Sequence, residues 1–502
     1  MKKIPEKQLN LNRRSIALNV FWNLLGNGIP MLVAIVAIPI LIEGLGLERF
    51  GMLTLAWMVV GYFSLFDLGL GRALSKLVAE NLGRGEDNEL PSLIWTGMSL
   101  MMALGFLAAV FLAILSPWLV SSLLNIPLKL QPETLIAFYL LAASIPIVTI
   151  TTGLRGILEA HQRFDYVNLV RVPLGMLTFL GPVAVLSFSN SLVPIVAILV
   201  IGRLLPLCVY VVLCLKVEPI LQSSFSISRT MARRLIAFGG WITVSNIVGP
   251  LMTYMDRFLI GAVATLTAVS YYATPYEIIM KLGIITGAIM GVMFPAFATL
   301  LAQDAARAGN LFHRTLKSIF LIIFPVVFII VVFAHEGLTL WLGSEFAENS
   351  TIVLQLLAIG VFINSHAHVP YGLLQAAGRA DITAKLHLIE LPFYLLILWW
   401  LVNAYGIVGA AIAWVMRVAL DGLFLFVVVR RFLPENPLST SQLVLKACGA
   451  LLVLFIGAAS SNIVVQWLLL LLGLPILMVV SWFFILATDE RAMIRARLKL
   501  FS

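Results

Sequence analysis

The stretch LVPIVAILVIGRLLPLCVYVVLCL, residues 192–215, decides the class of fold. It is long and apolar enough to cross the roughly 30 Å hydrocarbon core of a bilayer as a helix. Its one charged residue, Arg203, lies near the middle, where a charge costs roughly 2.5–3.5 kcal/mol on insertion scales. A residue this unfavourable indicates that a hydrated cavity, a carboxylate or an anionic ligand faces it.

The whole chain has the composition of a membrane protein. Of its 502 residues, 61% are hydrophobic and 11% are charged, whereas a typical soluble domain is about one quarter charged. The three cysteines all fall in apolar runs, which is typical of small buried side chains rather than of a disulfide framework or a metal site. We therefore predict a polytopic membrane protein.

Apolar runs like the first one recur along the chain, divided by short polar stretches. Each run is long enough for a membrane-spanning helix. We predict fourteen of them, at residues 16–42, 52–71, 92–115, 134–154, 167–188, 192–215, 236–262, 267–300, 317–341, 351–377, 384–403, 406–429, 441–462 and 466–487.

The basic residues predict the orientation of these helices. Most of the 33 Lys and Arg residues lie at the two termini or in alternate loops, and the opposite loops carry only Arg49 and Lys129. Because Lys and Arg accumulate in cytoplasmic loops, we predict that both termini are cytoplasmic. The basic excess suits anionic lipid headgroups, and no nucleic-acid partner is expected.

A faint internal repeat divides the chain. Trp22 and Asn27 open the first predicted span with the spacing W-x4-N, and Trp241 and Asn246 open the seventh in the same way. Two halves that begin on the same side of the membrane indicate a parallel repeat, related by an axis along the membrane normal.

The predicted fold is therefore an all-α membrane protein with two pseudo-symmetric six-helix lobes and two further C-terminal helices. The N-terminal lobe covers residues 1–215 and the C-terminal lobe covers 216–435. The additional helices and a basic cytoplasmic tail cover 436–502. No loop is long enough to hold a soluble domain.

Two arginines lie at matching depths in the two predicted lobes. Arg203 and Arg417 are each eleven residues from the outer end of their span, which is about 16 Å at 1.5 Å per residue. Both therefore lie near the predicted midplane, too deep for their side chains to reach an interface easily. A hydrated, cationic cavity between the lobes would explain both residues.

Other charges inside the spans form candidate pairs. Lys281 lies four residues after Glu277, and Asp421 lies four residues after Arg417, so each pair shares one helix face and is predicted to neutralise itself in part. The pairs are either structural or line a transport pathway, where the cation would contact substrate. The sequence leaves both interpretations open.

Each of the remaining charges inside the predicted spans fits two roles. Asp256 and Arg257 lie near the outer end of the seventh span, which fits an outer gate or an interface anchor equally well. Asp67 and Glu390 are lone carboxylates nearer the cytoplasmic side. They either bind a coupling proton or sodium ion, or meet water at the helix ends.

No metal site or nucleotide site is predicted. His366 and His368 are two residues apart, so they point to different faces of a helix and are poorly placed to share a metal ion. The chain lacks the Gly-x-x-x-x-Gly-Lys-Ser/Thr loop that binds nucleotide phosphates, so no ATPase is built in. No cofactor is expected apart from a coupling proton or sodium ion.

Five short motifs resemble those of a known family. They are GLERFG at 46–51, DLGLGRA at 67–73, DRFLIG at 256–261, YYATPY at 271–276 and FPAF at 294–297. Together with the fourteen-helix layout, they resemble the Wzx-like oligosaccharide flippases of the polysaccharide biosynthesis family. That family shares a superfamily with MATE-type multidrug exporters and lipid II flippases.

The resemblance implies a flippase of the bacterial inner membrane. Its cargo would be a polyprenyl-diphosphate-linked oligosaccharide, such as one used for lipopolysaccharide or O-antigen export, moved from the cytoplasmic to the outer leaflet by alternating access. A central cavity with Arg203, Arg417, Lys281 and Arg257 would bind the diphosphate. Polysaccharide polymerase machinery would be a partner.

Two other classes of protein compete with this interpretation. A drug or cation antiporter of the same superfamily would need an acidic or apolar cavity for its cationic substrates. The two most central charges here are both arginine, which favours an anionic substrate instead. A membrane glycosyltransferase or polymerase would need a sizeable catalytic loop, which the chain lacks, so the protein is not expected to be an enzyme.

Overall fold

The computed structural model describes residues 13–62, 69–84, 89–161, 163–222, 225–433, 440–460 and 462–480. Within these residues every regular element is helical, which confirms the all-α prediction. The α-helices are α1 Arg13–Tyr62, α2 Leu70–Arg84, α3 Leu90–Trp118, α4 Gln131–Ala160, α5 Phe164–Leu186, α6 Leu192–Ile201, α7 Leu204–Val217, α8 Arg229–Val263, α9 Leu266–Ile279, α10 Gly283–Gln303, α11 Ala305–Val332, α12 Ala334–Leu342, α13 Ser344–Ala376, α14 Ala380–Val429, α15 Thr440–Ala458 and α16 Ile463–Val480.

Many of these helices can cross a membrane. Within the described residues, eight helical segments are long and apolar enough: Ile29–Met58, Leu90–Leu123, Gln131–Ala160, Asp165–Leu186, Leu192–Val217, Ala306–Val332, Ser344–Ala376 and Ala380–Val429. Large apolar side chains such as Phe111, Ile114 and Trp400 are well exposed on them, as suits surfaces that face lipid. The protein is therefore a multi-pass membrane protein, whereas the count of fourteen spans and the cytoplasmic termini stay predictions.

The chain divides into two compact units, Met1–Ile247 and Val248–Ser502. The organisation predicted from the sequence, with boundaries after residues 215 and 435, stays a prediction.

In the first unit, α3 packs along α4 and α1 packs along α5. The approach of α3 to α4 is close, because a Cβ on Gly105 of α3 would lie 2.9 Å from the Pro146 Cα of α4. An ion pair between Arg49 Nε and Glu133 Oε1, 2.6 Å apart, ties α1 to α4. Glu133 also accepts a hydrogen bond from Ser191 Oγ, the N-cap residue of α6.

In the second unit, α13 is the central helix and packs against α9, α10, α11, α12 and α14. Gln355 of α13 donates from Nε2 to the backbone oxygens of Val331 in α11 and Ala458 in α15, at 3.0 and 3.2 Å. The hydroxyl of Ser350 donates to the Tyr271 carbonyl of α9 at 2.9 Å. These bonds satisfy buried polar groups that would otherwise lack a partner, and they connect α13 to its neighbouring helices.

Of the first two predicted breaks between spans, one is confirmed and the next is wrong. The stretch between the spans predicted at 16–42 and 52–71 contains a break, because α1 consists of two helical parts that meet at Gly46 with φ 74° and ψ 163°, a conformation that favours glycine. The stretch after 71 forms α2 instead of a loop. Its buried residues, such as Leu70, Leu74 and Leu77, recur at helical spacing, but the helix is too short and too polar to resemble a span.

Three other predicted spans are interrupted. The run 192–215 is divided into α6 and α7 at Gly202 and Arg203. The run 267–300 is divided by a 3₁₀ segment, Met280–Leu282, and the run 317–341 is divided at Phe333 between α11 and α12.

The helix α14 is a hairpin of two helical halves. It bends at Gly406, which has φ 58° and ψ −135°, a conformation that L side chains rarely adopt. Tyr394 and Arg417, nearly the same number of residues on either side of the bend, contact each other. The halves therefore run antiparallel, as the two spans predicted at 384–403 and 406–429 require.

Candidate functional site

Arg203 lies at the break between α6 and α7. It caps the start of α7 with helical backbone angles, φ −80° and ψ −20°, so the apolar segment continues past it with little change. Its side chain is half-buried, and no hydrogen bond or ion pair joins its guanidinium to another described residue. An always-charged group in this position is left available to a ligand or to water.

Arg257 lies in the second unit and is almost wholly buried. Its side chain, 2% exposed, donates from Nη2 to Glu277 Oε1 of α9 at 3.0 Å. Its guanidinium carbon stands 4.3 Å from the ring centroid of Tyr276 and 5.3 Å from that of Tyr254. The charge is therefore stabilised by one carboxylate and by two aromatic faces.

Asp256, the neighbouring residue, is also fully buried. Its carboxylate accepts hydrogen bonds from the Tyr272 hydroxyl at 2.5 Å and from the Arg257 backbone amide at 2.8 Å. Tyr276, one turn further along α9, donates to the Thr253 carbonyl at 3.2 Å. The tyrosines of the YYATPY motif thus bind α9 to the buried Asp-Arg pair of α8.

The predicted pairing of Glu277 with Lys281 is wrong. Glu277 bonds to Arg257 instead, and among the described residues no ion pair joins it to Lys281. The α-helix ends at Ile279 and a 3₁₀ segment follows. Its tighter turn of three residues rotates Lys281 away from the face that an α-helix would have shared with Glu277.

The predicted pairing of Arg417 with Asp421 is also wrong. Arg417 points across the hairpin, with its guanidinium carbon 5.6 Å from the ring centroid of Tyr394, and its buried Nε has no hydrogen-bond partner. Asp421 lies nearest a residue of the other half, with Oδ1 3.6 Å from His387 Nε2. Contacts between the halves therefore replace the pairing along one helix.

The second unit brings most of the predicted site residues together. Arg417 lies within electrostatic range of Asp256 and of Glu390, so the charges of α8, α9 and α14 form one polar region. Its predicted members are Asp256, Arg257, Glu277, Glu390, Arg417 and Asp421. Arg203 belongs to the other unit, and Asp67 lies outside the described residues.

Sequence reasoning missed four residues of this polar region. Tyr272 and Tyr276 stood inside a quoted motif, but their four-residue spacing on one helix face was not used. His387 precedes Glu390 by three residues, which places both on one face of a helix. Tyr394 contacts Arg417 only because the hairpin folds back, which no local pattern indicates.

His366 and His368 lie elsewhere on α13. Each donates from Nδ1 to the carbonyl oxygen four residues earlier in its own helix, those of Phe362 and Asn364, at 2.8 Å in both cases. His366 also packs against the ring of Phe362, with centroids 4.6 Å apart. Both side chains are therefore held by their own helix.

Sequence comparisons find similarity to proteins named for polysaccharide biosynthesis, O-antigen transport and glycan biosynthesis. The model of the family described as polysaccharide biosynthesis protein matches residues 16–301. A Shigella flexneri protein named "Putative O-antigen transporter" is 35% identical over 414 residues, which are 82% of this chain and 97% of that protein. A Haloferax volcanii protein named "Probable low-salt glycan biosynthesis flippase Agl15" is 27% identical over 192 residues, 38% of this chain and 40% of that one.

Solved structures resemble the fold over most of the chain. A MATE family multidrug resistance transporter of the MOP superfamily in an inward-facing conformation superposes with a TM-score of 0.68 at 15% identity, covering 82% of this chain and 98% of that one. A MOP superfamily transporter from Pyrococcus furiosus superposes with a TM-score of 0.61 at 16% identity, covering 85% and 97%. At this level of identity the likeness establishes a MATE-like transporter fold and no more.

Proposed function

Because the chain belongs to the polysaccharide biosynthesis protein family, and so is a membrane transporter rather than an enzyme, we propose that it flips a polyprenyl-diphosphate-linked oligosaccharide. The cargo would move from the cytoplasmic to the outer leaflet of a bacterial inner membrane. The names of the two relatives, an O-antigen transporter and a glycan biosynthesis flippase, support this proposal.

One observation identifies a residue that would bind the diphosphate of this cargo. Arg203 interrupts an apolar segment, is half-buried, and has no hydrogen bond or ion pair with another described residue. A diphosphate headgroup cannot enter hydrocarbon without replacement of its hydration. The planar guanidinium provides that replacement, because it can bind two phosphate oxygens at once.

In the proposed mechanism, the cationic side chains line a cavity that opens by alternating access. Arg203 and Arg417 bind the diphosphate, and Arg257 and Lys281 contribute positive potential. The polyprenyl tail stays in lipid. Both termini face the cytoplasm, and anionic lipids bind the basic loops. A polymerase takes up the product. A proton or sodium ion bound at a carboxylate such as Asp67 couples the cycle.

The test is complementation of a bacterial strain that lacks its own flippase for a lipid-linked glycan. We expect Arg203→Ala and Arg417→Ala to reduce surface glycan at least tenfold at normal levels of membrane protein, with partial recovery in the Lys variants. Arg430→Ala is the matched control, since this residue is exposed at the end of α14. Full glycan export by both alanine variants would overturn the cationic binding site.

The same strains separate the flippase from the drug or cation antiporter. A flippase restores surface glycan and leaves the minimal inhibitory concentrations of cationic drugs unchanged. Raised drug tolerance without glycan export would contradict the proposed cargo.

A further inference from the structure

Three potential ligands meet inside the α14 hairpin. His387 and Glu390 lie on its first half and Asp421 lies on its second half. One ligand atom from each, an imidazole nitrogen and two carboxylate oxygens, lies within 4.8 Å of the other two. These three residues belong to the polar region described above, but none of them bonds to Arg257, which pairs with Glu277 instead.

Contacts within the protein do not satisfy all the buried oxygen atoms of this cluster. Asp421 is 8% exposed, and its Oδ1 atom is buried without a hydrogen-bond partner, as is Glu390 Oε2. A protonated His387 would pair with Asp421 across the 3.6 Å separation, but Glu390 Oε2 would stay unsatisfied. Arg417 is close enough to influence Glu390, yet it forms no ion pair with either carboxylate among the described residues.

The donor set indicates what would complete the cluster. Imidazole nitrogen suits zinc and its first-row neighbours, whereas sodium and magnesium prefer oxygen ligands alone. Two carboxylates and one neutral imidazole carry a charge of −2, which a divalent ion neutralises. Three protein ligands with a fourth position open is an arrangement that zinc commonly adopts when it also binds water or another ligand.

We propose that His387, Glu390 and Asp421 form a site for a divalent transition-metal ion that joins the two halves of α14. The site goes beyond the transport function and does not depend on it. Because the ligands come from both sides of Gly406, a bound ion stabilises the antiparallel arrangement of the halves. It therefore also holds Arg417, one helix turn before Asp421, in place against Tyr394.

The first test measures metal binding by the purified full-length protein in detergent or nanodiscs. After incubation with Zn²⁺ and gel filtration, we expect one tightly held equivalent by elemental analysis. We expect His387→Ala and Glu390→Gln each to weaken Zn²⁺ binding at least tenfold, in line with the effects of altered metal ligation. The controls are His335→Ala and Glu348→Gln, whose side chains are exposed outside the cluster.

The second test measures whether Zn²⁺ stabilises the folded protein, and whether this stabilisation requires the Asp421 carboxylate. Zn²⁺ should raise the melting temperature of the wild-type protein and of both controls, because an ion that binds the folded state stabilises it. It should not raise that of Asp421→Asn, even where this variant melts at the wild-type temperature in chelator.

Three outcomes would overturn the proposal. One is the absence of a bound Zn²⁺ equivalent in the wild-type protein. Another is unchanged affinity in the double variant of His387→Ala with Glu390→Gln, provided that it elutes as a monodisperse protein. The third is full displacement of Zn²⁺ by an equal concentration of Mg²⁺, which would show that no imidazole takes part.

Discussion

At the scale of single residues, the burial of the charged Arg257 side chain is energetically costly. Its side chain is 2% exposed, and a buried charge is tolerated only when it is paired and hydrogen-bonded. Glu277 accepts a hydrogen bond from the guanidinium, and the rings of Tyr254 and Tyr276 lie near it. Arg257 is consequently structural to the second unit as well as a predicted substrate-binding residue.

Replacement of Arg257 should therefore lower the stability of the folded protein. We expect Arg257→Met to lower stability by about 3 kcal/mol, the low end for breaking a buried ion pair, because Glu277 is 39% exposed and can be rehydrated. Thermal melts of the purified protein measure the change. Arg430→Met, on an exposed residue, should melt like the wild type, and equal melting of the two variants would contradict the role of Arg257.

The two tyrosines of α9 provide a matched pair for the same network. Tyr272→Phe removes a donor to a buried carboxylate, for which we expect a loss of about 1.5–3 kcal/mol. Tyr276→Phe removes a donor to a neutral backbone carbonyl, for which about 1 kcal/mol is expected. Thermal or denaturant unfolding distinguishes them, and a larger loss for Tyr276→Phe would contradict the greater weight assigned to the bond between Tyr272 and Asp256.

At the scale of elements, α13 and α14 approach each other closely where Gly360 faces an aromatic ring. A Cβ on Gly360 would collide with the indole of Trp414, which in turn packs edge-on against Tyr276. The contact thus connects the central helix of the second unit to the polar region of α8 and α9.

Addition of a single methyl group tests this contact. We expect Gly360→Ala to destabilise the protein by about 1–3 kcal/mol through overpacking, despite the higher helix propensity of alanine. Gly337→Ala in α12 is the control, because the space that its new methyl group would occupy is open. Alanine should be neutral or stabilising by up to about 1 kcal/mol there. Melting temperatures that rise in both variants would show that Trp414 moves aside freely.

Elements were predictable from the sequence where hydrophobicity alone determines them. The long runs that became α3, α4, α5 and α13 were recognised because length and apolarity are sufficient for a spanning helix. The amphipathic α2 was missed because it is half polar. The side-chain pairs of Glu277 and Arg417 were mispredicted because spacing along one helix says nothing about a 3₁₀ segment or a partner on another helix.

At the scale of the whole molecule, the family and the transporter fold followed from motifs and helix layout, and both are confirmed. The polar region of the second unit did not follow, because tertiary contacts bring Tyr272, Tyr394 and His387 to charges that are distant in sequence. Buried charges could be recognised one at a time from their apolar surroundings, whereas their partners required the fold.

The orientation of the whole molecule can be tested directly. Because basic residues are concentrated at the termini and in alternate loops, we expect both ends of the chain to be cytoplasmic. A fluorescent protein fused to either end should fluoresce, and alkaline phosphatase fused there should be inactive. Active phosphatase at the C-terminus would require an odd number of spans.

The bend at Gly406 also bears on how the protein enters the membrane during synthesis. Each half of α14 carries charges that hydrocarbon disfavours on its own, a carboxylate in the first half and both Arg417 and Asp421 in the second. When the halves insert together as a preformed hairpin, these groups face each other instead of lipid. We therefore expect the glycine that permits the bend to assist membrane insertion of the second unit, before any substrate is bound.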